Sequence, residues 1–270
     1  MSDSFYKTPQ NHGLGWLPDL PDQRDRIYHP EPEMLKLTRL AVPTKVDLRE
    51  QCPPVYNQGE LGSCTANALA GAFDFDRGKQ GLDYMTPSRL FIYYNERDME
   101  GTVHIDSGAR IRDGIKSLNV QGVAPESQWP YTIAKFRDKP TADCYAEAKK
   151  SQTVEYRRIL TPHDQPAHDM IACLNEGFPF VTGISVYESF ESEVASTTGV
   201  IPMPEAQEQL LGGHAVLVVG YDLGKKHFIF RNSWGQSWGQ HGYGYLPIAY
   251  LTSKGLADDM WMIKTVETGK

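Results

Sequence analysis

The chain has 270 residues, 40% apolar and 23% charged, enough for one large domain or two lobes sharing a core. A net charge of −7 argues against nucleic acid as a main partner, which needs a basic face. No apolar run approaches the ~18 residues of a membrane helix, and the first thirty residues, with Asp3, Lys7, Pro18, Asp22, Arg24 and Asp25, lack a signal peptide's apolar core.

Residues 1–41 are rich in Pro, Gly and Asp, with helical periodicity only over 32–40. They read as an extended leader laid over the body, with Trp16, Leu17 and Tyr28 as anchors. Either the leader crosses or flanks a cleft and holds it latent, or it packs on the back of the fold without a regulatory role. The spacing next predicts a helix over 64–77, with Ser63 as cap, Leu69, Ala70 and Phe73 inward and Gly78 near its end. Thr86 and Pro87 open a second helix, to about 98. A third covers about 107–118, with Ile111, Ile115 and Leu118 at helical spacing. A fourth covers about 164–175, with Met170, Ile171 and Leu174 inward and Gly177 as its stop. Short apolar or alternating runs at 180–186, 215–221, 227–231, 242–246 and 260–266 read as strands. Helices followed by strands give an α+β chain of two lobes, with a cleft between them where sites usually sit.

Three stretches carry chemistry: Gln58-Gly59-Glu60-Leu61-Gly62-Ser63-Cys64, Gly213-His214-Ala215-Val216 and Arg231-Asn232-Ser233-Trp234-Gly235. Together they supply a thiol, an imidazole, a carboxamide to orient the ring and a second carboxamide for an oxyanion. A thiol at the first turn of a helix gains the positive end of the dipole, and a protonated imidazole beside it lowers its pKa further. In order and local context these segments resemble the papain family of cysteine peptidases. The His follows the Cys at that family's separation, and the Asn falls slightly beyond it. The resemblance covers about 42 to the C-terminus. Val46-Asp47-Leu48-Arg49 is similar to the start of the mature family chain, and Pro54-Val55-Tyr56-Asn57-Gln58-Gly59 to its oxyanion-hole segment. Asp106-Ser107-Gly108, Gly122-Val123 and Trp129-Pro130-Tyr131 resemble its substrate groove.

The resemblance implies a papain-like fold over 42–270, with a helical left lobe at about 50–150 and an antiparallel β-barrel-like right lobe at about 151–270. Residues 1–41 become an N-terminal leader or short pro-segment, organised as in bacterial members with short leaders. Cys64 is then the nucleophile, and His214 its partner, the acid for the leaving amine and the base for water. Asn232 fixes the ring, and Gln58 with the Cys64 N–H forms the oxyanion hole. Trp234 shields the His–Asn bond, and Trp238 is core or groove wall. Ser107, Gly108 and Gly213 border an extended peptide, and Ala109 and Arg110 the S2 pocket. Asp259 (or Asp258), if it points inward, closes S2 and suits Lys or Arg at P2; the bland alternative is a pair of solvated loop acids. Thr65 departs from the pattern, since the family has an aromatic residue there. The other histidines, at 12, 29, 104, 163, 168, 227 and 241, read as surface residues.

Leu61 and Ile105 stand where the family has a disulfide, and a dry contact is expected in its place. Cys144 resembles one end of another family bridge, and 88–98 offers it no partner. This and the missing signal peptide favour a reduced, cytosolic protein, with secretion as the alternative. Cys and His are scattered, so no metal site is expected, and no cofactor. The expectation is a monomeric thiol peptidase acting on peptide or protein, without nucleic acid or membrane. The alternatives are an exopeptidase, amidase or transpeptidase on the same fold, and a binding or regulatory protein whose site is covered by its own leader.

Overall fold

The computed structural model describes residues 12–30, 42–83, 85–160 and 167–268. The periodicity over 32–40, and His163, lie outside them. Helix α1, Cys64–Lys79, is buried on every side from Cys64 to Arg77, so it forms the spine of the molecule rather than an amphipathic surface helix. Its small residues allow this: Gly71 lies against Arg231 and Leu217, where a side chain would collide. Ser63 stands at the N-cap, but its hydroxyl pairs with that of Tyr131 at 2.6 Å instead of capping. Helix α2, Arg89–Glu100, starts later than Pro87 because Ser88 is the cap, its Oγ accepting the Phe91 N–H at 3.1 Å. Helix α3, Ile111–Val120, also starts later than expected. Gly108 sits at φ +71, which turns the chain and leaves 107–110 outside the helix. Four shorter helices follow: α4 (Ala142–Ala148), α5 (His168–Asn175), α6 (Glu193–Thr198) and α7 (Ile248–Thr252).

The strands are β1 (Lys45–Asp47), β2 (Ser151–Ile159), β3 (Phe180–Tyr187), β4 (Leu210–Asp222), β5 (His227–Arg231), β6 (Tyr243–Pro247) and β7 (Ala257–Thr268). They form one antiparallel sheet, an open path in the order β2-β7-β3-β4-β5-β6, with β1 added on β4. Helix α1 packs against α2 and α3 on one side and β4 and β7 on the other, which makes the expected two lobes. β4 begins at Leu210, so His214 lies inside the strand, opposite Ile184, and does not open it. The apolar pattern marks none of α4, α6, α7, β1 and β2.

The segment 12–30 spans both lobes. Trp16 pairs in parallel with Ala109, just ahead of α3, and Ile27 with Arg158 on β2. Trp16 also donates its backbone N–H to the Gly213 carbonyl on β4 at 3.0 Å. Leu14, Trp16 and Tyr28 are buried, and each such side chain is worth roughly 1.5–3 kcal/mol of contact. Leu17 is half-buried, and it ties in through its N–H to Ala109 O at 3.0 Å.

Candidate active site

Cys64 is the first residue of α1 and is fully buried. The backbone N–H groups of Ala215, Gly15 and Thr65 face its sulfur, and each favours the thiolate. Burial outweighs them and pushes the thiol up to about 12. His214 is buried too, and this pushes its imidazole down to about 4, against the opposing pull of Asn232. His214 Nε2 lies 2.8 Å from Asn232 Oδ1, an oxygen that also accepts the Ser233 N–H at 2.8 Å. A carboxamide oxygen only accepts, so Nε2 carries the proton and Nδ1 keeps its lone pair in the neutral ring. Nδ1 is buried with no hydrogen-bond partner among the described residues. Trp234 covers the ring, centroid to centroid 4.7 Å. Trp238 is core, packed on Phe190, Phe230 and Trp234.

Gln58 is fully buried. Its Nε2 donates to Leu61 O at 2.8 Å and to Gly13 O at 3.0 Å, and its Oε1 accepts from Ser233 Oγ at 2.5 Å. Its backbone N–H reaches Ser233 O at 2.8 Å, Asn57 and Trp234 form an antiparallel bridge, and Tyr131 donates its hydroxyl to Gln58 O at 2.9 Å. The two carboxamide segments are thus stitched together across the cleft. Asn57, unassigned in the sequence, turns its Oδ1 onto the Gly59 N–H at 2.9 Å.

The N-terminal segment fills the groove beside these groups. His12, expected at the surface, stacks on Trp234 at 4.2 Å and lies 3.5 Å from Glu191. The Trp16 indole fills the space left by Gly183 and Gly213; a Cβ on Gly183 would overlap the ring. At the far end the indole N–H reaches Asp259 Oδ2 at 3.1 Å. Asp259 is in strand β7 and 1% exposed, so it is no solvated loop acid, whereas Asp258 is largely exposed. Asp259 also accepts the Asp19 N–H at 2.7 Å and pairs with Arg158 at 2.9 Å. Burial and the neighbouring Asp19 charge push it up to about 7. Arg112 holds Asp25 at 2.6 Å and donates its backbone N–H to Asp19, which also accepts from the Trp261 indole at 3.0 Å.

Gly108 was expected to pair with an extended chain, but its N–H is turned onto the Tyr93 hydroxyl at 3.1 Å. Ala109, one residue on, makes the pairing: its N–H donates to Gly15 O at 2.7 Å. Ser107 donates its hydroxyl to Thr102 at 2.8 Å, and Arg110 pairs with Glu100 at 3.6 Å. Thr65, where an aromatic side chain was expected, donates to Glu96 at 2.9 Å, a buried carboxyl raised well above its usual range by that burial. All four cysteines are free, and beside Leu61 and Ile105 there is a polar tie, from Asp106 to the Gly62 N–H. Tyr93, Asp106 and Ser233 carry no role in the sequence reading; Asp106 and Ser233 stand in quoted motifs beside residues that do, and Tyr93 stands in none.

A family model described as papain family cysteine protease matches residues 100–260. That span holds His214 and Asn232; Gln58 and Cys64 precede it. Over 95% of the chain and 88% of the relative, 41% of residues are identical to an uncharacterised peptidase C1-like protein of Acanthamoeba polyphaga mimivirus. Mouse cathepsin K is 29% identical over 87% of the chain and 67% of its own length. Among solved structures, xylellain, a cysteine protease from Xylella fastidiosa, superposes with a TM-score of 0.86 at 45% identity, covering 96% of this chain and 98% of that one. With the helical and sheet lobes, and with thiol, imidazole and both carboxamides gathered at their junction, the chain belongs to the papain family of cysteine peptidases.

Proposed function

We propose that this cysteine peptidase cleaves peptide bonds through Cys64 and His214, and that residues 12–30 hold it latent. With the groove free, the thiol passes its proton to His214 Nδ1 and the thiolate attacks the scissile carbonyl carbon. The developing oxyanion takes the free Gln58 Nε2 hydrogen and the Cys64 N–H. The imidazolium protonates the leaving amine, an acyl-thioenzyme remains, and water activated by His214 releases the acid and restores the thiol. A neutral Asn232 suits a pair whose charges balance each other.

One observation carries the latency: the Gly13 carbonyl takes the Gln58 hydrogen at 3.0 Å, where a substrate oxygen belongs, while the Gly15 N–H faces the Cys64 sulfur. The sulfur therefore meets a donor instead of an electrophilic carbon, which favours a stopper over a substrate. Burial under the segment also favours the neutral thiol and imidazole, the unreactive pair. The same geometry supports an S2 pocket filled by Trp16 and floored by Asp259. Once the segment leaves, that carboxylate suits Lys or Arg at P2.

Labelling by an epoxysuccinyl inhibitor, read by intact mass, tests this on the full chain, on a chain starting at Val42, and on Cys64→Ala in each. The expected result is labelling of the trimmed chain, abolished by Cys64→Ala, and little of the full chain. Equal labelling of both rejects latency. None in a folded trimmed chain rejects the peptidase mechanism.

A further inference from the structure

The loop from Gln58 to Cys64 carries both oxyanion donors, and with all four cysteines free no disulfide holds it. The Gly62 N–H points at both oxygens of Asp106, 3.1 Å from each. The carbonyl of the same peptide unit, Leu61 O, accepts Gln58 Nε2 at 2.8 Å. A peptide unit is planar, with N–H and C=O on opposite sides. The Asp106 carboxylate and the Gln58 carboxamide therefore sit at opposite ends of one rigid dipole. An anion on the N–H polarises the carbonyl and strengthens the bond it accepts. That bond matters because an amide NH2 has only two hydrogens. With one fixed on Leu61 O and Oε1 fixed on Ser233 Oγ at 2.5 Å, the carboxamide plane is set and the second hydrogen points into the groove.

Asp106 is itself held from α2. Tyr93 donates its hydroxyl to Asp106 Oδ1 at 2.5 Å and accepts the Gly108 N–H at 3.1 Å. One turn on, the buried Arg97 donates to the carbonyls of Val103 at 2.9 Å and Ile105 at 3.1 Å. One helix face thus fixes the loop that presents Asp106. A Cβ on Gly62 would lie 3.0 Å from Asp106 Oδ1 and 3.3 Å from Leu14 O, so the tie also depends on that glycine.

We infer that Asp106, held by Tyr93, is a positioning residue that aims the Gln58 carboxamide at the substrate oxygen through the Leu61–Gly62 peptide. This rests on the peptidase mechanism proposed above. Asp106 touches no substrate, and its effect passes entirely through Gln58.

The test uses the full chain, folded intact and then cut at a protease site introduced between residues 30 and 42. Asp106→Ala is compared with the parent and, as a double-mutant cycle, in a Gln58→Ala background. Three readouts are taken: peptide hydrolysis, binding of a peptide aldehyde, and alkylation by chloroacetamide. The aldehyde forms a hemithioacetal, the thiol adding across C=O, whose oxygen uses the same donors; alkylation displaces chloride at carbon and needs only the thiolate. The expected result is a kcat lower by about 10–100-fold with KM within about threefold. Aldehyde affinity falls in parallel, and alkylation stays within about twofold of the parent. In the Gln58→Ala background the same substitution costs under about threefold. Tyr93→Phe, which keeps the ring, follows the same pattern more weakly and carries the cycle if Asp106→Ala does not fold. Equal losses in both backgrounds, or alkylation falling in step with kcat, overturn the inference while leaving the peptidase standing. A parent that is alkylated at Cys64 yet hydrolyses no peptide overturns both.

Discussion

Cys64 and His214 are pushed toward their neutral forms, the thiol up to about 12 and the imidazole down to about 4, because burial shuts water out. At pH 8 a thiol at about 12 is ionised to only ~10⁻⁴. Iodoacetamide should therefore modify Cys64 in the full chain at a rate that climbs about tenfold per pH unit to beyond pH 10, with no neutral plateau. After the segment is cut and removed, a plateau near neutral pH is expected. A plateau below pH 8 in the intact chain would disprove the covered, neutral pair. Gln58→Ala should lower kcat of the opened enzyme by about 10²–10³ with KM little changed, as for other lost oxyanion donors; a loss under tenfold would remove Gln58 from the hole. Gln58, Cys64, His214 and Asn232 were legible because each comes with a local motif. Asp106 and Tyr93 were not, since a carboxylate that meets a peptide N–H 44 positions away leaves no local trace. Nor was His12, whose stacking on Trp234 depends on where an extended segment happens to pass.

At the scale of elements, the apolar pattern located α1, α2, α3, α5 and the inner strands but misplaced several starts and left out the short helices α4, α6 and α7. Ser88 caps α2 where Pro87 was expected to open it, and Gly108 at φ +71 delays α3. Ser88→Ala should cost about 1 kcal/mol of stability, as lost N-caps do, measured by urea unfolding. β2, Ser-Gln-Thr-Val-Glu-Tyr-Arg-Arg-Ile, escaped notice because an edge strand of mostly polar residues lacks a strong apolar run. The extended segment was read correctly as anchored at Trp16, Leu17 and Tyr28, but whether it crossed the cleft was beyond periodicity, since an irregular strap has no period. Its main grip is Trp16, with the indole in the groove and its N–H on Asp259. Trp16→Ala removes a large buried side chain, at a cost of about 3–5 kcal/mol in a well-packed site. It should raise epoxysuccinyl labelling of the full chain by at least about tenfold, and no change would mean that the segment is held elsewhere.

At the scale of the whole molecule, the segment joins the lobes through groups whose protonation opposes itself. His214 is lowered to about 4 from an ordinary 6.5, so the closed state resists its protonation; the contribution to closure is full above 6.5 and fades as pH falls toward 4. Asp259 is raised to about 7 from an ordinary 3.8, by burial and by Asp19, so its contribution is full below 3.8 and fades as pH rises toward 7. Asp19 is raised by burial in the same sense, while Arg158 pulls both acids the other way and Arg112 pulls on Asp19. Across the window from about 4 to 6.5 the imidazole loosens the segment with acid while the carboxyl pair tightens it. The net grip should therefore vary little there. Asp259→Asn keeps an acceptor for the Trp16 indole but removes one titrating group, leaving His214 with less opposition. The affinity of a peptide spanning 12–30 for the opened enzyme, measured by calorimetry, should then fall steadily from pH 6.5 to 4 in Asp259→Asn and stay nearly level in the parent. A parent whose affinity falls as steeply as the variant's would show that Asp259 keeps its charge throughout, paired to Arg158, and that His214 alone sets the acid response of the closed form.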